Sequence, residues 1–332
     1  MKATPAPKLT GVFLITLSRA AGNGAGSEMH AAGARGRVAF GASLCSAAIC
    51  LLALTATVPA GLASSADGRS VRTRVFEFVD RSRTIRLPDG RRVPRSVETV
   101  VRYPSTGGPY PLIVFGHGFA LTPATYAPLL RAWATAGYVV AAPVFPLGNA
   151  NAPGGPTESD LVNQPRDVSY VITSVLTLDR RPAGVLAGKI DRSRIAVAGH
   201  SDGAVTALAV AYDERHRDRR VRAAIVLSGG VLPGMGAFPR RGPPLLAMQG
   251  TADPINAPAT TAAYFGLAGR PKFLVWLIGA SHRPPYTYEQ PQLGIVERVT
   301  IAFLDHYLRG RPLSAFEAAA SRPRLTQLVA DP

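Results

Sequence analysis

The sequence predicts an α/β fold: a mostly parallel, twisted sheet with helices on both faces and an antiparallel pair of strands ahead of it. Three observations lead there. From about residue 111 onward, short unbroken apolar runs alternate with Ala-rich or amphipathic stretches of helical length, the rhythm of strand–helix–strand units. The stretch 194–204 reads as a buried strand, a one-residue corner at Ser201 and the start of a helix. Ahead of both, residues 69–102 hold two strand-like runs around the turn sequence Arg-Leu-Pro-Asp-Gly-Arg.

The elements follow in order. Runs 71–79 and 96–103 alternate Arg with Val, Phe and Ile, as half-exposed strands do. They predict a hairpin at one sheet edge, its arginines coating an outer face. Residues 112–115 are continuously apolar, as in a strand buried on both sides. Residues 122–136 predict a helix, with Pro123 in the first turn where proline is tolerated. A strand over 138–144, a Gly/Pro/Asn-rich loop over 146–165 and a helix over 167–178 come next. After the strand at 195–198 and the helix at 203–212 come strands at 222–230, 244–250 and 272–279, the last expected. An amphipathic helix over 289–308 closes the fold.

The 332 residues suit one large domain or two small ones, and the apolar share of 47% allows a sizeable core. The net charge of +16 is mostly arginine, which makes a solvated basic surface and at most a weak attraction to anionic surfaces. Zinc-ligand spacing, aromatic single-strand motifs and a helix-turn-helix pattern are all missing, so no nucleic-acid partner is expected. Both cysteines, Cys45 and Cys50, lie in the apolar run 38–58, which Arg35 and Arg37 precede and small residues follow. That is the layout of a signal peptide over 29–66; an uncleaved anchor is the alternative, since about 20 apolar residues can span a bilayer. Met29 is the expected true start, with 1–28 an upstream extension. Residues 67–332 then form one domain without cysteine, exported or held at the cell envelope, and monomeric.

Ser201 lies between Gly199 and Gly203 in Gly-His-Ser-Asp-Gly. A serine on so sharp a turn points outward in strained geometry, and a Cβ at either glycine would strike the neighbouring strand or helix. A serine hydroxyl attacks a carbonyl only when a base takes its proton and an acid orients that base. Of the six histidines, only His282 follows the last expected strand. His30 lies in the leader, His117 in the loop after an early strand, His200 in the corner itself, His216 in a charged loop and His306 on the closing helix. Asp253, in Gln-Gly-Thr-Ala-Asp-Pro, follows the preceding strand. In parallel sheets chemistry gathers at the carboxyl ends of strands, where Ser201, Asp253, His282 and the Gly116-His-Gly-Phe119 loop all fall. The backbone N–H groups of Phe119 and Asp202 are the expected oxyanion donors. Phe119, Tyr126, Trp276, Tyr286 and the loop 146–156 are candidate lining for a substrate cleft. No metal or organic cofactor is implied.

These motifs resemble the serine esterases of the α/β-hydrolase superfamily, whose chain order is also Ser, Asp, His. The likeness rests on Val79-Asp-Arg-Ser-Arg83, Arg102-Tyr-Pro104, Val114-Phe-Gly-His-Gly-Phe119, Gly137-Tyr-Val-Val140, Gly199-His-Ser-Asp-Gly203, Gln249-Gly-Thr-Ala-Asp253 and Gly279-Ala-Ser-His282, and spans nearly all of residues 70–310. It is greatest to the branch similar to dienelactone hydrolases and platelet-activating-factor acetylhydrolases, beside cutinase-like polyester hydrolases and chlorophyllases. The resemblance implies a hydrolase of small-molecule or lipid-like esters. Ser201 stands where dienelactone hydrolases carry cysteine, which favours ordinary ester chemistry. Asp202 and the absence of disulfides depart from the polyester-hydrolase pattern. No long insertion lies between Gly230 and Pro244, so an open site without a large lid is expected. The same triad also serves acyl transfer and peptide cleavage, and a non-catalytic binding protein is a reading of another class.

Overall fold

The computed structural model describes residues 70–332. The expected leader, its cysteines and the start at Met29 lie outside the described residues. Nine described strands form one sheet in the order β1-β2-β4-β3-β5-β6-β7-β8-β9. Strands β1 (Val71–Arg86) and β2 (Arg92–Pro104) are the expected edge hairpin, antiparallel to each other. They run longer than the alternation suggested because the register shifts between Asp80 and Thr84. There Asp80 accepts from the backbone and hydroxyl of Ser82, and pairing resumes beyond it.

Strands β3 (Tyr110–Gly116), β4 (Val139–Pro143), β5 (Ile190–His200), β6 (Val221–Leu227), β7 (Leu245–Gly250) and β8 (Lys272–Leu277) are parallel. Their unbroken apolar character follows from burial on both faces. Along β3, Leu112 and Val114 enter one core while Ile113 and Phe115 enter the other. The first core is closed by α2 (Gln164–Asp179), α3 (Asp202–Tyr212) and α4 (Pro258–Leu267). The second is closed by α1 (Ala127–Thr135), α5 (Gln292–Arg309) and α6 (Leu313–Ala320). Trp133 of α1 donates its indole N–H to Thr300 of α5 at 2.9 Å, which fixes those two helices.

The fold departs from the sequence reading in four places. Strand β8 is not the last: β9 (Thr326–Asp331) pairs antiparallel beyond it. Its residues alternate between half-buried and exposed, with Val329 39% exposed, so no continuous apolar run marks it. The helix α5 is likewise not terminal, since α6 and β9 follow it. Helix α4 was not expected, because it buries only Thr261, Tyr264 and Phe265 and has no capping side chain. Finally, the hairpin arginines do not all coat an outer face. Arg95 is 2% exposed and bonds both carboxylate oxygens of Asp160 and both of Asp167. Among the described residues no helix is long and apolar enough to cross a membrane.

Candidate active site

Strand β5 ends at His200 and helix α3 begins at Asp202, leaving Ser201 alone to make the corner. Its backbone takes φ 55° and ψ −122°, a conformation that costs about 1–3 kcal/mol and persists only where the surroundings impose it. Here the surroundings are backbone. A Cβ on Gly199 would overlap the carbonyl of Gly203, and one on Gly203 would overlap the carbonyl of Gly116 at the end of β3. Strand β5, helix α3 and strand β3 therefore touch through bare backbone at one point. A Gly203→Ala substitution is expected to cost at least about 3 kcal/mol, or roughly 6–12 °C in Tm, because no side chain can yield. A thermal melt of the variant checks this; an unchanged Tm would show that the backbone can spread.

The strand ends bring three side chains together. Ser201 Oγ lies 3.0 Å from His282 Nε2, and His282 Nδ1 lies 2.8 Å from Asp253 Oδ2. The other oxygen, Asp253 Oδ1, accepts the backbone N–H groups of Ile255 and Asn256, each at 2.9 Å. Burial works against the charge on Asp253, but the bonds from His282 and from these two amides outweigh it and hold the carboxyl down at about 2. Asp253 is therefore ionised and can only accept. His282 must donate from Nδ1, which leaves Nε2 to accept the Ser201 proton.

Sequence reasoning missed Gln249. Its Nε2 donates to Asp253 Oδ2 at 3.0 Å and to the carbonyls of Gly250 and Asn256, while its Oε1 accepts from Thr261 of α4. A glutamine one residue before the end of an otherwise apolar strand is the one signal that pointed to it.

The Gly-His-Gly-Phe loop sits directly against the serine: a Cβ on Gly118 would lie 3.2 Å from the Cβ of Ser201. His117 is buried, accepts the Phe145 N–H at Nε2 (3.0 Å) and therefore donates from Nδ1 to the Gly118 carbonyl at 2.8 Å. Burial keeps it neutral, pushing its ring down to about 4. In a planar trans peptide the carbonyl and the following N–H point opposite ways. Holding the Gly118 carbonyl thus fixes the direction of the Phe119 N–H. Among the described residues neither that N–H nor the Asp202 N–H, at the first turn of α3, has a partner. Next to the serine, burial and nearby Glu158 raise the Asp202 carboxyl to about 6, against the pull of His282, and its Oδ2 has no hydrogen-bond partner among the described residues.

A cleft of about 410 Å³ opens over Ser201 and His282, lined by Phe119, Leu121, Pro254, Ile255, Arg283 and Pro284. Of the four aromatic candidates for its lining Phe119 is there and the other three are not. Tyr126 and Tyr286 are fully buried behind the site; Tyr126 bonds His200, and Tyr286 donates to the Met248 carbonyl. Trp276 projects from β8 toward the first core, on the α4 side. Aromatic residues near strand ends look alike in sequence whether they face a cleft or a core. The loop residues Pro146, Asn149 and Pro153 border a separate hollow with Ile85 and Glu98. That loop instead braces the Phe119 loop, the Gly148 carbonyl accepting the Ala120 N–H at 2.9 Å.

The fold and family together define a carboxylic-ester hydrolase of the α/β-hydrolase class. The chlorophyllase family model matches residues 78–267, more than half of the chain, and the chain belongs to that family. The match takes in Ser201 and Asp253 and ends before His282. Among solved structures, a ferulic acid esterase from Streptomyces cinnamoneus is similar with a TM-score of 0.59 at 21% sequence identity, covering 78% of this chain and 96% of that chain. No curated protein matches.

Proposed function

We propose that residues 67–332 are an exported serine esterase that works through an acyl-enzyme. The single observation that supports this best is the chain of hydrogen bonds from Ser201 Oγ through His282 to an ionised Asp253. Ser201 Oγ attacks the ester carbonyl carbon as its proton passes to His282 Nε2, and the carbonyl π electrons move onto oxygen. The N–H groups of Phe119 and Asp202 receive that oxyanion, the second aided by the positive end of α3. Collapse re-forms the carbonyl and breaks the bond to the alcohol oxygen, which takes the proton from Nε2. Water then attacks the acyl-Ser201 carbon, giving its proton to His282, and the acid leaves as Ser201 is reprotonated. Asp253 holds the imidazole and stabilises its cation throughout. The open cleft, with Phe119, Leu121 and Ile255 in its lining, suits an ester with an apolar acyl or alcohol portion. Export rests on the leader-like layout of residues 29–66, and N-terminal sequencing of the secreted protein tests it.

The enzymatic test uses p-nitrophenyl esters of graded chain length and a fluorophosphonate probe. Ser201→Ala is expected to lower kcat by roughly a million-fold and to abolish labelling. A variant that kept activity or labelling would move the nucleophile elsewhere. A wild-type protein that neither turned over nor labelled would turn the reading toward a binding protein.

A further inference from the structure

The triad and the oxyanion loop come from distant parts of the chain, yet one set of hydrogen bonds joins them behind the site. His200, the residue before Ser201, is 1% exposed. Its Nε2 lies 2.9 Å from the backbone carbonyl of His282, and its Nδ1 lies 2.7 Å from Tyr126 Oη. Tyr126 Oη in turn accepts the Gly118 N–H at 3.2 Å. Every proton in this chain has a forced position. The His282 carbonyl can only accept, so His200 carries its proton on Nε2. Nδ1 must then accept, so Tyr126 donates its O–H there, and its oxygen is free to take the Gly118 N–H. Burial, with His282 close by, pushes the His200 ring down to about 3. It stays neutral, and no protonation reverses the pattern at working pH.

We propose that His200 and Tyr126 form a positioning relay that sets the oxyanion loop and the base loop against each other across the elbow. The inference rests on the triad reading above. A buried histidine and tyrosine that merely filled space would need partners of any kind. These two take theirs from the peptide beside the oxyanion donor Phe119 and from the backbone of the base itself. The rings also pack tilted against one another in series, with centroids 5.5 Å apart for Tyr126 and His200 and 4.7 Å for His200 and His282. A shift of either loop is therefore felt by the other. His200 and Gly118 border the cleft but the Tyr126 hydroxyl does not, so deleting that hydroxyl slows the chemical step and leaves ground-state binding alone.

The test is Tyr126→Phe, which keeps the ring and deletes only the O–H, with His200→Phe and the double variant beside it. Active sites are counted by fluorophosphonate titration, so misfolded protein drops out. In Tyr126→Phe, kcat is expected to fall between about 10- and 100-fold with KM within about twofold. The affinity for an alkylboronic acid, which becomes tetrahedral on the serine, is expected to fall by the same factor as kcat/KM. The double variant is expected to lose no more than the worse single one, since one chain is cut in both. A loss carried by KM, an unchanged boronate affinity, or single effects that multiply in the double variant would each overturn the relay. Ser201→Ala in the same assay separates the two readings. If it is inactive while Tyr126→Phe turns over normally, the relay fails and the triad stands; if it is active, the triad itself fails.

Discussion

Asp253→Asn is expected to lower kcat by roughly ten-thousand-fold while leaving the fold intact. The backbone amides of Ile255 and Asn256 require an acceptor on one side of residue 253, so the new amide oxygen must stay there. The new NH₂ then faces His282 and can only donate. His282 Nδ1 must accept, its proton moves to Nε2, and Nε2 can no longer take the proton of Ser201. That tautomer error is the cause assigned to losses of about 10⁴ in serine proteases carrying the same change. Gln249 works the other way, since its Nε2 donates to the same Oδ2 position that the new NH₂ would take, but that is one fixed donor against the two backbone amides that a flipped amide would face. Steady-state kinetics on a p-nitrophenyl ester, with active sites titrated, measures the effect. A loss of less than about tenfold would mean that another group orients His282.

The second large effect is on stability. Arg95→Met is expected to destabilise the domain by about 3–5 kcal/mol, lowering Tm by roughly 6–20 °C. Burial works against the Arg95 charge, but Asp160 and Asp167 outweigh it and hold the guanidinium protonated more firmly than usual. Removing it strands two carboxylates where water does not reach. Arg83 offers only partial relief, being shared between Asp80 and Asp167. The network ties β2 to the turn at Glu158–Asn163 and to α2. Gln164 of α2 in turn accepts from Thr206 of the elbow helix at 2.8 Å, so the loss reaches toward Ser201. Thermal unfolding measures it. If the deficit arises from stranded charge, converting Asp160 and Asp167 to Asn in the same variant recovers part of it; failure to recover any would point to lost packing instead.

How much was legible beforehand depended on what each residue's role required locally. The parallel strands and the edge hairpin could be read because strands buried on both faces must be apolar throughout and Pro-Asp-Gly must turn. The chlorophyllase-family match and the esterase neighbour agree with that reading of fold and class. The strand-end positions of Ser201, Asp253 and His282 were equally visible, since they depend on counting elements. Helix α4 and strand β9 escaped because each buries few side chains and leaves a weak periodic trace.

By itself, then, the sequence determined the α/β sheet, the tight corner at Ser201 and the loops that carry reactive side chains. All of these follow from hydrophobic period, turn chemistry and the space that glycine leaves free, and each acts over a few neighbouring residues. Only the tertiary structure decided that Arg95 is buried with two aspartates, that Gln249 fixes Asp253, and that Tyr126 and Tyr286 stand behind the site instead of lining it. Arg95 takes polar partners 65 and 72 residues away and His200 takes partners 74 and 82 away, while Gln249 meets Asp253 four residues on, across a strand end whose path the fold sets. A buried polar group must find its partner somewhere in the folded chain. The elbow at Ser201 was visible in five residues, but the bonds that hold His282 and the Gly118 peptide beside it come from distant parts of the chain.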